Sequence, residues 1–115
     1  MWKEKRKNKR IPLHFYLQVS EKGSSKHLGY MIDVSNEGFK LLSEEPISIG
    51  SEVLCVLHLP EAFNDRQDIS FMTSCCWCRK DVNPDYYVSG YQIDDLEPDG
   101  QSIISIIMHY YGHRT

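Results

Sequence analysis

The stretch IPLHFYLQVSEKGSSKHLGYMIDVSNEGFKLLS, Ile11 to Ser43, decides the fold class. Its opening residues set Ile11, Leu13, Phe15, Leu17 and Val19 at alternate positions, the period-two pattern of a half-buried strand. EKGSSK, Glu21 to Lys26, is rich in turn formers. Beyond it HLGYMIDV resumes the alternation with Leu28, Tyr30 and Ile32 on one face, so the two runs read as a hairpin. SNEG, Ser35 to Gly38, is a tight turn into FKLLS, a short third strand.

Three more runs continue the pattern: EVLCVLHL (Glu52–Leu59), ISFMTSCCWCRK (Ile69–Lys80) and YYVSGYQI (Tyr86–Ile93). Six strands at these spacings predict a mainly β protein, a small six-stranded antiparallel β-barrel. The tail differs. Ile103, Ile104, Ile106, Ile107, Met108, Tyr110 and Tyr111 are dense in apolar side chains, and by propensity alone the isoleucines would suit a strand. Pro98, placed in a first helical turn, then Asp99 and Gly100 and the closing Gly112, favour a C-terminal helix over about 98–111.

At 115 residues the chain is one domain by length. Its net charge is −3, yet residues 3–10 hold six of the 13 Lys and Arg and one of the 16 Asp and Glu, a net +5 against −8 for the rest. A flexible basic arm, residues 1–10, therefore precedes an acidic body, residues 11–115. A polymeric nucleic acid wants basic residues spread over a folded face, so none is expected; a small anionic ligand suits the arm better. No window approaches a membrane span and the charged start lacks the pattern of a secretory signal, which predicts a cytoplasmic protein with reduced thiols.

Cys75, Cys76 and Cys78, with Cys55 and His58, invite a metal reading. In an extended strand Cys76 and Cys78 share a face while Cys75 points away, and Cys55 and His58 also diverge, so no metal site is expected and the thiols read as small buried hydrophobes. Trp77, Tyr86, Tyr87 and Tyr91 read as core and rim. His14, His27, His58, His109 and His113 show no spacing with an acid or nucleophile that makes a catalytic unit, so no enzyme is expected.

Two short motifs remain. Arg6 and Arg10 form RxxxR, with Lys5 just before Arg6, and Asp33, Ser35 and Gly38 form DxSxxG within DVSNEG. With the strand order, the tryptophan in the fifth strand and the VSGYQI segment, the whole chain resembles the PilZ domain family, bacterial receptors for cyclic di-GMP. The resemblance implies a split β-barrel with a C-terminal helix. It implies ligand contacts at Arg6, Arg10, Asp33, Ser35 and Gly38, with Lys5, Asn36 and Gly90 as candidate secondary contacts. The chemistry agrees: arginine makes bidentate bonds to phosphate or to guanine O6 and N7 and stacks on bases, while a carboxylate accepts from the guanine N1 and N2 donors that arginine cannot serve. Gly38 would supply φ > 0 and open access to the turn. The expectation is a stand-alone, non-catalytic receptor without a cofactor. It would order its arm over the nucleotide and signal through an effector protein, with self-association left open. Two alternatives are a nucleotide-independent adaptor in motility or pilus machinery and a basic-tailed nucleic-acid-binding barrel.

Overall fold

The structure is a computed structural model and describes residues 11–112 apart from residue 64. Six strands and one helix follow one another as β1 (Ile11–Glu21), β2 (His27–Val34), β3 (Gly38–Ser43), β4 (Glu52–Phe63), β5 (Arg66–Lys80), β6 (Tyr87–Leu96) and α1 (Gly100–Tyr111). All pairings are antiparallel and the order β1-β2-β3-β6-β5-β4 closes on itself through Val19↔Leu57. Closure removes the unpaired edges that an open sheet would expose. Inside lie Val19, Met31, Phe39, Leu57, Ile69 and Phe71, all within 1% of full burial. Phe39 stacks on Tyr91 with ring centroids 5.0 Å apart and meets Phe71 edge-on at 5.6 Å.

The tail is a helix. Ile103, Ile104 and Ile107 are fully buried, and α1 packs against β1. Pro98 lies outside the first turn, because the helix begins at Gly100 with Asp99 as its N-cap. The Asp99 side chain makes no cap bond; its carboxylate faces Arg66, whose Nη1 lies 3.2 Å from Oδ2. Arg66 also pairs with Glu97, whose Oε2 accepts from the Ser70 N–H at 2.9 Å. The Ser70 N–H first, and the Arg66 guanidinium with it, hold the Glu97 carboxyl below its ordinary range. This ion triad ties the start of β5 to the helix entrance.

Three expectations fail where a period of two is broken. Along β1, Pro12 pairs with Asp33 and Leu17 with Met31, so four residues bulge against one, and Phe15 is 64% exposed instead of inward. In β2 the buried residues are Gly29, Met31, Asp33 and Val34, while Leu28 and Ile32 are only half-buried, Leu28 against the core, and Tyr30 is exposed. Gly29 lies hard against β3, where a Cβ would collide with the Leu42 carbonyl. In β5, Cys75 pairs with Tyr91 and Trp77 with Gly90, so Cys76 is an extra residue. The bulge flips the parity beyond it: Cys75 is buried, Cys76 is exposed and Cys78 is half-buried opposite Ser89. Trp77 is accordingly not core. Its indole lies over Gly90, with the Arg79 guanidinium 4.8 Å above it.

Candidate functional site

The DVSNEG turn is built by one side chain. Ser35 is 1% exposed, and its Oγ accepts from the N–H groups of Glu37 (3.1 Å) and Gly38 (3.2 Å), while the Ser35 N–H donates to the Gly38 carbonyl at 2.8 Å. A serine that accepts from the backbone two and three residues on is a turn-forming device. The turn is then fixed to the sheet, since the Ile93 N–H donates to the Glu37 carbonyl at 2.9 Å. Gly38 does not occupy the left-handed region; among glycines that is left to Gly23 and Gly50. It must be glycine for another reason: a Cβ there would overlap the Tyr91 carbonyl across the β3–β6 pair.

This close approach leaves a cavity of about 560 Å³ between turn and sheet, one wall formed by residues 35–38 and the other by Tyr91, Gln92, Ile93 and Cys76. The volume lies in the range of small-molecule sites. Asn36 places its Oδ1 out of solvent contact with no hydrogen-bond partner, an acceptor left over in the wall. Burial pushes the Tyr91 phenol above its ordinary range, so it stays neutral. The Cys76 thiol reaches the cavity only because of the bulge, and no signal in the CCWC run announces it.

Asp33 sits at the end of β2, next to the turn and mostly buried. Its Oδ1 accepts from the Lys40 N–H at 3.1 Å and its Oδ2 lies 3.6 Å from Lys40 Nζ. Pro12 pairs with Asp33 and Ile11 with Val34, so the chain enters the barrel beside this carboxylate and the turn. Arg6, Arg10 and Lys5, the remaining candidates, lie outside the described residues. Ser35, Asn36 and Gly38 thus share one cavity wall with Asp33 adjoining, whereas Gly90 is buried under the Trp77 indole and does not line the cavity. Among the described residues no group of three or more His, Cys, Asp and Glu is placed to hold a metal ion. Nor is any described helix long and apolar enough to cross a membrane.

The fold thus combines a closed six-stranded antiparallel barrel, a C-terminal helix packed on β1 and a serine-stapled turn beside the first strand. The PilZ domain family matches residues 4–109, and the chain belongs to that family. No curated protein matches it. Among solved structures, the chain is similar to the PilZ domain with c-di-GMP of YcgR from Escherichia coli, at 14% identity and TM-score 0.69, covering 92% of this chain and 91% of that one. It is similar to the Bacillus subtilis inhibitor of motility MotI/DgrA at 14% identity and TM-score 0.70. The K. pneumonia MrkH–c-di-GMP complex matches at 18% identity and TM-score 0.72. The chain is 92% covered in both, but spans only 50% of the MotI chain and 52% of the MrkH chain. At these identities the likeness establishes the fold.

Proposed function

We propose that this chain is a receptor for cyclic di-GMP, held between the DVSNEG turn and the basic arm. The observation that carries the reading is the placement of the turn. Its wall of residues 35–38 bounds a nucleotide-sized cavity, and the strand that follows Arg10 enters the barrel paired with Asp33 and Val34. Arg6 and Arg10 supply donors to phosphate and to the guanine O6 and N7 edge. Asp33 supplies acceptors for guanine N1 and N2, and Asn36 stands in the cavity wall as a secondary contact. Ser35 acts through the turn it staples, since its hydroxyl is already engaged by two backbone donors. Lys5 keeps charge without the planar fork and serves as a phosphate contact.

Ordering residues 5–10 costs about 6–12 kcal/mol of backbone entropy, and charge-assisted bonds return about 1.5–3 kcal/mol each. Two arginines with two bonds apiece roughly balance that cost, so the turn contacts set the net affinity and the arm orders only when nucleotide is bound. The reshaped surface is what an effector protein would read. Titration calorimetry with cyclic di-GMP tests this. The parent chain gives saturable heat, and Arg10→Ala weakens binding by on the order of 100-fold or more. No heat with the parent, or unchanged affinity in the variant, would sink the reading.

A further inference from the structure

Barrel closure brings a serine, a histidine and a carboxylate into one row. β4 runs between β1 and β5, so His58 has Ser20 on one flank and Asp68 on the other. Ser20 Oγ lies 3.0 Å from His58 Nε2, and His58 and Asp68 are direct partners in the β4–β5 pair. Ser20 pairs with Val56, two residues before His58, and Ser70 pairs with Val56 from the other side. The four polar side chains therefore share the outer face of the barrel. Ser20, His58 and Asp68 line a cavity of about 410 Å³ together with Lys22 and Gly23. Ser20 is only 5% exposed, so its hydroxyl is sheltered from bulk water and open to that cavity. Lys22 Nζ donates to Ser70 Oγ at 3.1 Å, which holds the ammonium over the same face. Glu21, the second carboxylate of the lining, is engaged by the Ser24 hydroxyl at 2.5 Å. None of these residues lines the cavity beside the DVSNEG turn.

We propose that this seam is an acyl-transfer site that hydrolyses small carboxylic esters, with Ser20 as nucleophile and His58 as general base, and that it works without any nucleotide. With its proton on Nδ1, the imidazole accepts from the Ser20 hydroxyl through Nε2, the contact that makes a serine nucleophilic. Asp68 is a positioning residue: its negative charge across the strand pair favours that tautomer and the imidazolium that follows. Ser20 Oγ bonds to the ester carbonyl carbon as its proton passes to Nε2. The carbonyl π pair moves onto oxygen, where the Lys22 ammonium opposes the new charge. Collapse breaks the C–O bond to the alcohol, which departs with the proton from Nε2. Water then repeats the sequence on acyl-Ser20, releasing the carboxylic acid and restoring the hydroxyl. The cavity volume admits a short acyl chain and a small alcohol. Such a constellation is recognised by geometry and not by sequence position, and Ser20 and His58 stand 38 residues apart.

The test is hydrolysis of p-nitrophenyl acetate by the full chain carrying Cys76→Ser, because an exposed thiol releases nitrophenolate by itself. Nitrophenolate accumulates over many turnovers above the buffer rate, and mass spectrometry of the quenched reaction places the acetyl group on Ser20. Adding Ser20→Ala or His58→Gln lowers the rate by about 100-fold or more while the melting curve still shows a folded protein. Asp68→Asn lowers kcat and leaves KM unchanged, a split that a merely structural role would not produce. Acetylation confined to lysines overturns the proposal, as does an undiminished rate with Ser20→Ala. Should Ser20→Ala fail to fold, a fluorophosphonate probe decides the question: it labels Ser20 in the Cys76→Ser protein and leaves it unlabelled with His58→Gln, and equal labelling of the two overturns the assignment.

Discussion

A glycine can close a turn motif for two reasons that look alike in sequence and differ in mechanism, and Gly38 serves only one of them. A glycine at the end of DxSxxG suggests a left-handed backbone, but here the missing side chain lets the turn press against the Tyr91 carbonyl. Backbone cannot yield as a side-chain tip can, so Gly38→Ala should destabilise the barrel by about 1–3 kcal/mol and distort the cavity wall. A lowered urea midpoint with unchanged slope would show it, and an unchanged midpoint would mean that β3 and β6 are not held this tightly. The cysteines separate by burial in the same manner. Burial, with Glu21 nearby, pushes the Cys55 thiol up to about 12, so it stays protonated and inert at pH 8, while Cys76 stands exposed on its bulge. Mass spectrometry after brief maleimide treatment should find Cys76 labelled first and Cys55 only after unfolding. Equal labelling rates would contradict the buried placement.

α1 shows why a β-branched run became a helix. Ile103, Ile104 and Ile107 recur at helical spacing and are fully buried, a gain that outweighs the modest helix propensity of isoleucine. Ile107→Ala should cost about 2–5 kcal/mol, and Tyr110→Ala, on the exposed face, close to nothing by the same denaturation measurement. The helix entrance adds a pH dependence. Glu97 has its folded pKa lowered, so its contribution is present above the unfolded value of about 4.3 and fades as pH falls through the lower folded value. Below about pH 4 the parent should therefore lose urea stability more steeply than Glu97→Gln. Parallel curves for the two proteins would remove Glu97 from the acid transition.

On the proposed function, binding and folding are linked across the whole molecule, since the DVSNEG turn, Asp33 and the strand that follows Arg10 come together only in the native barrel. Cyclic di-GMP at a hundred times its Kd should raise the unfolding free energy by about 2.7 kcal/mol and the melting temperature by about 10 °C. A thermal scan that shifts for Arg10→Ala as much as for the parent would place the ligand elsewhere. Much of this architecture was legible beforehand. The six strand runs, their antiparallel arrangement and the terminal helix follow from periodicity and turn chemistry, and DVSNEG was readable as a turn because its spacing is local. The facing of individual side chains was not: Phe15 was placed in phase with Leu13 and Leu17, and Cys76 among the buried thiols on the same face as Cys78, yet both Phe15 and Cys76 are exposed.

Those misassignments share one cause. A strand's pattern tells which residues alternate, but a single extra residue exchanges its faces, and whether an extra residue exists depends on the partner strand. The bulges in β1 and β5 arise from pairing with β2 and β6, and they expose Phe15 and carry Cys76 to the cavity. The chain's own pattern was enough for the element order, the charge asymmetry and the DVSNEG turn, because each depends on neighbours in sequence. Closure of the barrel decided which face each side chain took, why Gly38 and Gly90 must lack a Cβ, and that the turn, β6 and the bulged Cys76 enclose one cavity.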